Sequence, residues 1–300
     1  MKEQLSQTPI DQPSDLELLS TSQPAIREPL VVPVSPNNPP WGSWAALGVW
    51  FASVAAIIFV PGIFLAVYLV AVGVKPEEMA AFGTTDPTAL AIQVAATIPA
   101  HLLTLLLAWF VVTNYQRHPF LQTLGWSSGG MRWWHYVLLL VGFFLVASVV
   151  SQYVPETENE FTKLLQSSRT VVFLVAIMAT FTAPFVEEVV YRGVVYSAWQ
   201  RSFGVKGAVA LVTFVFAAVH FPQYWGSWST IGLLTLLSLL LTLLRVKTDS
   251  LLPSFILHTL FNGIQSLGLI LAPYLDKTEK AGETPAFILH LLKQLIARGF

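Results

Sequence analysis

Six stretches of this chain run without a single Asp, Glu, Lys or Arg: 41–74, 87–116, 133–155, 170–186, 207–244 and 250–275. A segment that crosses a bilayer as a helix stays apolar for about twenty residues and satisfies its backbone internally. Five of the runs reach that length, and 207–244 is long enough for two helices, divided by the breaker Phe221-Pro222-Gln223-Tyr224-Trp225-Gly226. The remaining run, 170–186, is short, but its apolar pattern continues through Val189, Val190, Val194, Val195 and Trp199. Continued to Gln200 it becomes a long helix with embedded charges, kinked near Pro184. Seven spans result. Residues 286–297 (AFILHLLKQLIA) are amphipathic and short, so they read as an interfacial helix, with an eighth span as the alternative. The expected fold is all-α: a polytopic transmembrane helical bundle of seven to eight spans.

Composition closes off other classes. Charged residues make up 11% of the chain, against roughly 25% in an average soluble domain. A net charge of −1 gives no basic footprint, which argues against nucleic acid as a partner. With no cysteine, thiol catalysis and thiolate metal sites are out. Residues 1–43 hold eight of the nineteen prolines among scattered polar residues and read as a disordered tail, with no cleavable signal expected. The membrane domain is expected over 44–275 and an amphipathic segment over 276–300. Orientation follows the Lys/Arg bias of the loops. With the N-terminus cytoplasmic, Arg27, Arg117, Arg132, Arg192, Arg201, Lys206, Arg245 and Lys247 fall inside, and only Lys75, Lys163 and Arg169 fall outside between the spans. The expected location is a cell membrane, N-terminus inside. The expected partners are the lipid bilayer and a membrane-associated protein or peptide.

Ionisable residues inside spans are costly and mark functional sites by default. Here they are His101, His135, Glu187, Glu188, Arg192, His220 and His258. His135 stands among Trp133, Trp134 and Tyr136 at a helix start and reads as part of an interfacial aromatic belt. His101 has no ionisable neighbour in sequence and reads as a packing or hydrogen-bonding histidine. The others fall into three patterns, Glu187-Glu188-x-x-x-Arg192, Phe216-x-x-x-His220 and His258-x-x-x-Asn262. Chance would supply all three together at roughly 0.0005 per chain of this composition. Counted from the inferred cytoplasmic helix ends, Glu187 and His220 both fall about 21 Å deep, and His258 and Asn262 about 11 and 17 Å. Similar depths let them meet in one cavity.

Facing sorts the glutamates. Glu188 and Arg192, four apart, can form a buried pair whose role is structural as readily as functional. Glu187 points about 100° away and is left as the free carboxylate. A carboxylate and an imidazole sharing a water form a general base, and a second imidazole with an amide supplies donors to an oxyanion. That equipment suits amide hydrolysis without a covalent acyl-enzyme. No cofactor is expected, although zinc held by Glu187, His220 and His258 is an alternative; no H-E-x-x-H helix occurs.

Glu187-Glu188-Val189-Val190-Tyr191-Arg192-Gly193, with FAAVH at 216–220 and HTLFN at 258–262, resembles the CPBP family of CAAX proteases and bacteriocin-processing enzymes, also called the abortive-infection family. The likeness covers roughly 170–272. It implies an intramembrane glutamate endopeptidase in which Glu187 and His220 activate water, His258 and Asn262 form the oxyanion hole, and Glu188 and Arg192 support the site. Gly193 also reads simply as a small residue for close helix contact. A non-catalytic membrane scaffold and a proton-coupled transporter are the alternatives from other classes, the latter weakened by the lack of an inverted repeat.

Overall fold

The computed structural model describes residues 33–154 and 157–281. It is helical throughout; among the described residues the only extended pairing is an isolated bridge between Ser35 and Asn38. Among the described residues, six helices are long and apolar enough to cross a membrane: α1 (Ser43–Ala71), α2 (Pro87–Val112), α3 (Trp133–Tyr153), α4 (Arg169–His220), α5 (Trp228–Thr248) and α6 (Leu252–Ala281, of which Leu252–Ala272 is the apolar span). The protein is thus a multi-pass membrane protein. Helix starts follow local chemistry. At α2 the Asp86 carboxylate accepts from the Ala89 amide at 2.8 Å and Pro87 takes the first helical position, where its missing N–H costs nothing.

A straight α4 of 52 residues would run about 78 Å, far beyond a hydrocarbon core of about 30 Å. It does not run straight. Gly204 has φ 70° and ψ 168°, a conformation open essentially to glycine alone, and the chain doubles back there. The rings of Tyr191 and Phe216, on opposite sides of Gly204, meet edge-to-face at 5.0 Å, which a continuous rod would forbid. Helix α4 is therefore a hairpin of two arms, 169–203 and 205–220, and the bundle holds seven apolar rods. The turn at 221–226, with Gly226 at φ 88°, separates the second arm from α5 where the breaker segment predicts it. The candidate eighth span at 286–297 lies outside the described residues.

The rods differ in what covers them. Helix α1 presents Phe51, Ile58, Phe59, Ile63 and Val67 outward, as a lipid-facing helix does, whereas half of α5 is covered by protein. At the centre lies Glu188–Val195 of α4, buried at all eight positions and packed on Ala46 and Val49 of α1, Ala108 and Val112 of α2, and Val212 and Phe216 of its own second arm. Gly193 belongs there because of space: a Cβ on it would sit 2.9 Å from Leu124 Cδ2.

Two expectations need correction. Residues 1–32 of the expected tail lie outside the described residues, but its last part is packed as a strap. The buried Trp41 indole donates to Val194 O at 3.0 Å, Arg245 donates to Pro36 O at 2.9 Å, and Arg201 donates to Pro39 O at 2.7 Å. One buried tryptophan and two guanidinium groups that need carbonyl acceptors outweigh the proline content. Moreover, Arg192 and Arg245 are wholly buried, so neither is a loop charge. Removing those two leaves six inside against three outside, in the same sense but with a narrower margin.

Candidate active site

The first arm of α4 is not uniformly α-helical. A π-turn over Met178–Thr182 precedes Ala183–Glu187, and a longer π segment covers Glu188–Val195. Pro184 has no N–H to give the preceding turn, and the widened turn upstream absorbs that loss; the expected kink takes this form. Widening also frees the Ala179 carbonyl, which accepts from Asn262 Nδ2 at 2.8 Å. One amide hydrogen of Asn262 is thereby engaged and the other is left for the cavity it lines.

Glu188 and Arg192 form a sealed pair. Both side chains are 0% exposed, with Arg192 Nη1 donating to Glu188 Oε1 at 3.0 Å. The guanidinium donates further to Ser238 Oγ at 2.8 Å, Ser238 O at 3.2 Å and Thr242 Oγ1 at 3.3 Å, and lies 4.6 Å from the Phe216 ring centroid. A buried ion pair survives only when its remaining donors are met in this way. Glu188 Oε1 also accepts from His258 Nδ1 at 2.9 Å. A carboxylate only accepts, so this bond fixes the Nδ1 hydrogen and turns Nε2 the other way, to 3.6 Å from Glu187 Oε2.

Glu187 is 24% exposed and faces a cavity of about 330 Å³. His220, His258 and Asn262 line the same cavity, together with apolar residues that include Phe143, Phe161, Leu233 and Leu237. His220 donates Nδ1–H to Phe216 O at 2.8 Å, which leaves Nε2 as its basic nitrogen. No hydrogen bond or ion pair joins His220 to Glu187 among the described residues; they meet only through the cavity. The six polar residues of the three patterns therefore gather in two adjoining compartments.

Sequence reasoning missed several partners. His258 lines the cavity with Asn262 and in addition touches both glutamates. Ser238 and Thr242 hold the guanidinium, and their only signal is an i, i+4 pair of hydroxyls in a leucine-rich span. His101 lines the cavity as well as packing. His135 lies against the Trp134 ring and accepts from the Arg132 amide at 2.8 Å. As for zinc, among the described residues no three His, Asp or Glu side chains are grouped to hold a metal ion. Although Nδ1–H of His258 goes to Glu188 and leaves Nε2 free to ligate, Glu187, His220 and His258 are not drawn together into such a group and do not fit a metal as they stand.

This arrangement sits within a stretch that comparison identifies. Residues 169–264 match the Rce1-like family, type II CAAX prenyl endopeptidases. The match is consistent with the CPBP family and spans every one of the six candidate residues, while α1, α2 and α3 lie outside it. It supports a membrane-embedded protease, a hydrolase acting as an intramembrane endopeptidase, whose surroundings are a lipid bilayer and a membrane-associated substrate. Comparison of the chain with curated proteins and with solved structures returned no match.

Proposed function

We propose that this protein hydrolyses a peptide bond of a membrane-associated protein or peptide, in the manner of a CAAX prenyl endopeptidase, with a water activated by Glu187 and His220. The observation that carries the reading is the contrast between neighbours: Glu188 is sealed against Arg192, whereas Glu187 faces the cavity without a guanidinium partner. A water between the Glu187 carboxylate and His220 Nε2 loses a proton to the carboxylate as its oxygen attacks the scissile carbonyl carbon. The oxyanion that forms accepts from the free amide hydrogen of Asn262 and from His258. Because His258 gives Nδ1–H to Glu188, its Nε2 carries a hydrogen only as the imidazolium, and Glu187 at 3.6 Å supplies the balancing charge. Glu187 then passes its proton to the amine nitrogen as the C–N bond breaks, and the products are a carboxylic acid and a free amine. Glu188 and Arg192 support the site through His258.

No metal enters this scheme. A cell-membrane location with the N-terminus cytoplasmic is part of the same reading and rests on the Lys/Arg bias that remains after the two buried arginines are removed. The test is purified protein in detergent with a library of membrane peptides, wild type beside Glu187→Ala, with and without chelator. Cleavage by the wild type, its loss in the variant and indifference to chelator are expected. Activity abolished by chelator and restored by added zinc would move the chemistry to a metal.

A further inference from the structure

His101 is a histidine that neither the three patterns nor the mechanism uses. It lies on α2, outside the matched stretch, and is 7% exposed in a span where an ionisable side chain is costly. With Val94 and Thr97 it forms a face of α2, at helical spacings of three and four, that lines the cavity also lined by Glu187. The helical stretch Thr97–Val112 packs directly on Ala183–Glu187, so this face and the reactive carboxylate are held by one contact.

Thr182 Oγ1 lies between two partners, Met178 O at 3.3 Å, to which it donates, and His101 Nδ1 at 3.1 Å. With the one hydroxyl hydrogen on Met178 O, Nδ1 is the ring nitrogen that donates. The Nε2 atom is left as a lone pair with no hydrogen-bond partner among the described residues. The polar groups of the mechanism are committed otherwise: Glu187 and His220 act on water, and His258 and Asn262 donate; Gln223 and Gln265 also line the cavity, but on other elements than the α2 face that packs on Ala183–Glu187. A peptide in a dry cavity also brings main-chain N–H groups, and each needs an acceptor.

Resting on the proteolytic reading above, we propose that His101 Nε2 accepts a hydrogen bond from a main-chain N–H of the substrate next to the scissile bond, and so fixes its register against Glu187. A purely packing histidine would need no acceptor turned to the cavity. The role is binding that is equal in ground and transition states, so it reads in KM and not in kcat.

The experiment compares the wild type with His101→Leu and His101→Gln on a peptide that the wild type cleaves, with thermal unfolding of each protein measured in the same detergent. Gln keeps an acceptor but cannot titrate; Leu keeps the bulk and removes the acceptor. Leu should raise KM about tenfold or more, since a buried donor is left unmet, with kcat and Tm near the wild type. Gln should recover most of the loss. An unchanged KM in His101→Leu overturns the proposal, as does a fall in Tm without a change in KM, which would make the residue structural. Equal loss of kcat in both variants also overturns it, in favour of proton transfer. A wild type that cleaves no peptide sinks the proteolytic reading itself, a result distinct from any of these because it appears before a variant is made.

Discussion

Glu187 and Glu188 are adjacent in sequence and face two compartments that treat a carboxylate in opposite ways. The compartment between α4 and α5 is closed: Glu188, Arg192, Ser238 and Thr242 are buried, and the guanidinium meets four oxygen acceptors there. The other is an open cavity where, among the described residues, the one ion-pair contact of Glu187 is with the His258 imidazole at 3.6 Å. Closed, a charge must be neutralised by its neighbours; open to water, it can be left to react. His258 is the partition, with Nδ1 on one carboxylate and Nε2 toward the other. The comparison teaches that residue type does not assign the role here; the lining does.

The largest expected effect breaks the closed side. Arg192→Ala leaves Glu188 buried without its cation, a loss of roughly 3–5 kcal/mol in stability. Glu188→Ala should cost a similar amount, and it also strips His258 of its Nδ1 acceptor, so the folded fraction should be poorly active. The double variant should be milder than the two losses added, because no lone charge remains. Thermal and chemical unfolding in detergent measure all three. A well-folded Arg192→Ala protein that is simply inactive would show that the closed compartment belongs to the chemistry, and the division between the glutamates would be wrong.

Next comes the open side. Glu187→Gln keeps shape and removes the base, so turnover should drop at least about a hundredfold. Unfolding should stay close to the wild type, since Gln keeps the shape and Glu187 faces the open cavity, 24% exposed. Turnover near the wild-type rate would remove Glu187 from the mechanism; a collapse of stability would show that the cavity, too, depends on its charge for structure.

How far the sequence foretells this contrast can be traced residue by residue. Charge-free runs locate the rods, because a bilayer leaves few alternatives, and the i, i+4 spacing pairs Glu188 with Arg192. Its facing argument also leaves Glu187 alone. What it misses depends on packing between helices distant in sequence: Ser238 and Thr242 meeting the guanidinium, Trp41 pinning the strap to Val194 O, and His258 lying between the glutamates. The π-turn at Met178–Thr182 is hidden for another reason. Proline announces a disturbed helix but not which neighbouring turn will widen, and that choice falls to partners such as Asn262 on another helix.

The smallest expected effect tests whether the closed side acts as a mount or only as a sink for charge. Ser238→Ala removes one short bond to the guanidinium, but Arg192 Nη2 keeps the Ser238 carbonyl at 3.2 Å as a second acceptor. The loss should therefore lie near the low end for a bond to a charged group, about 1–1.5 kcal/mol. Thr242→Val removes a longer contact of 3.3 Å and a hydroxyl that also donates to Ser238 O at 2.7 Å, and should cost about 0.5–1 kcal/mol. Neither variant touches the cavity, so turnover of the folded protein should stay within about twofold of the wild type. A Ser238→Ala protein of unchanged stability whose turnover nevertheless falls tenfold would mean that small shifts of Arg192 pass through Glu188 to His258. The two compartments would then be one machine divided only by a ring, and their contrast would describe burial and not function.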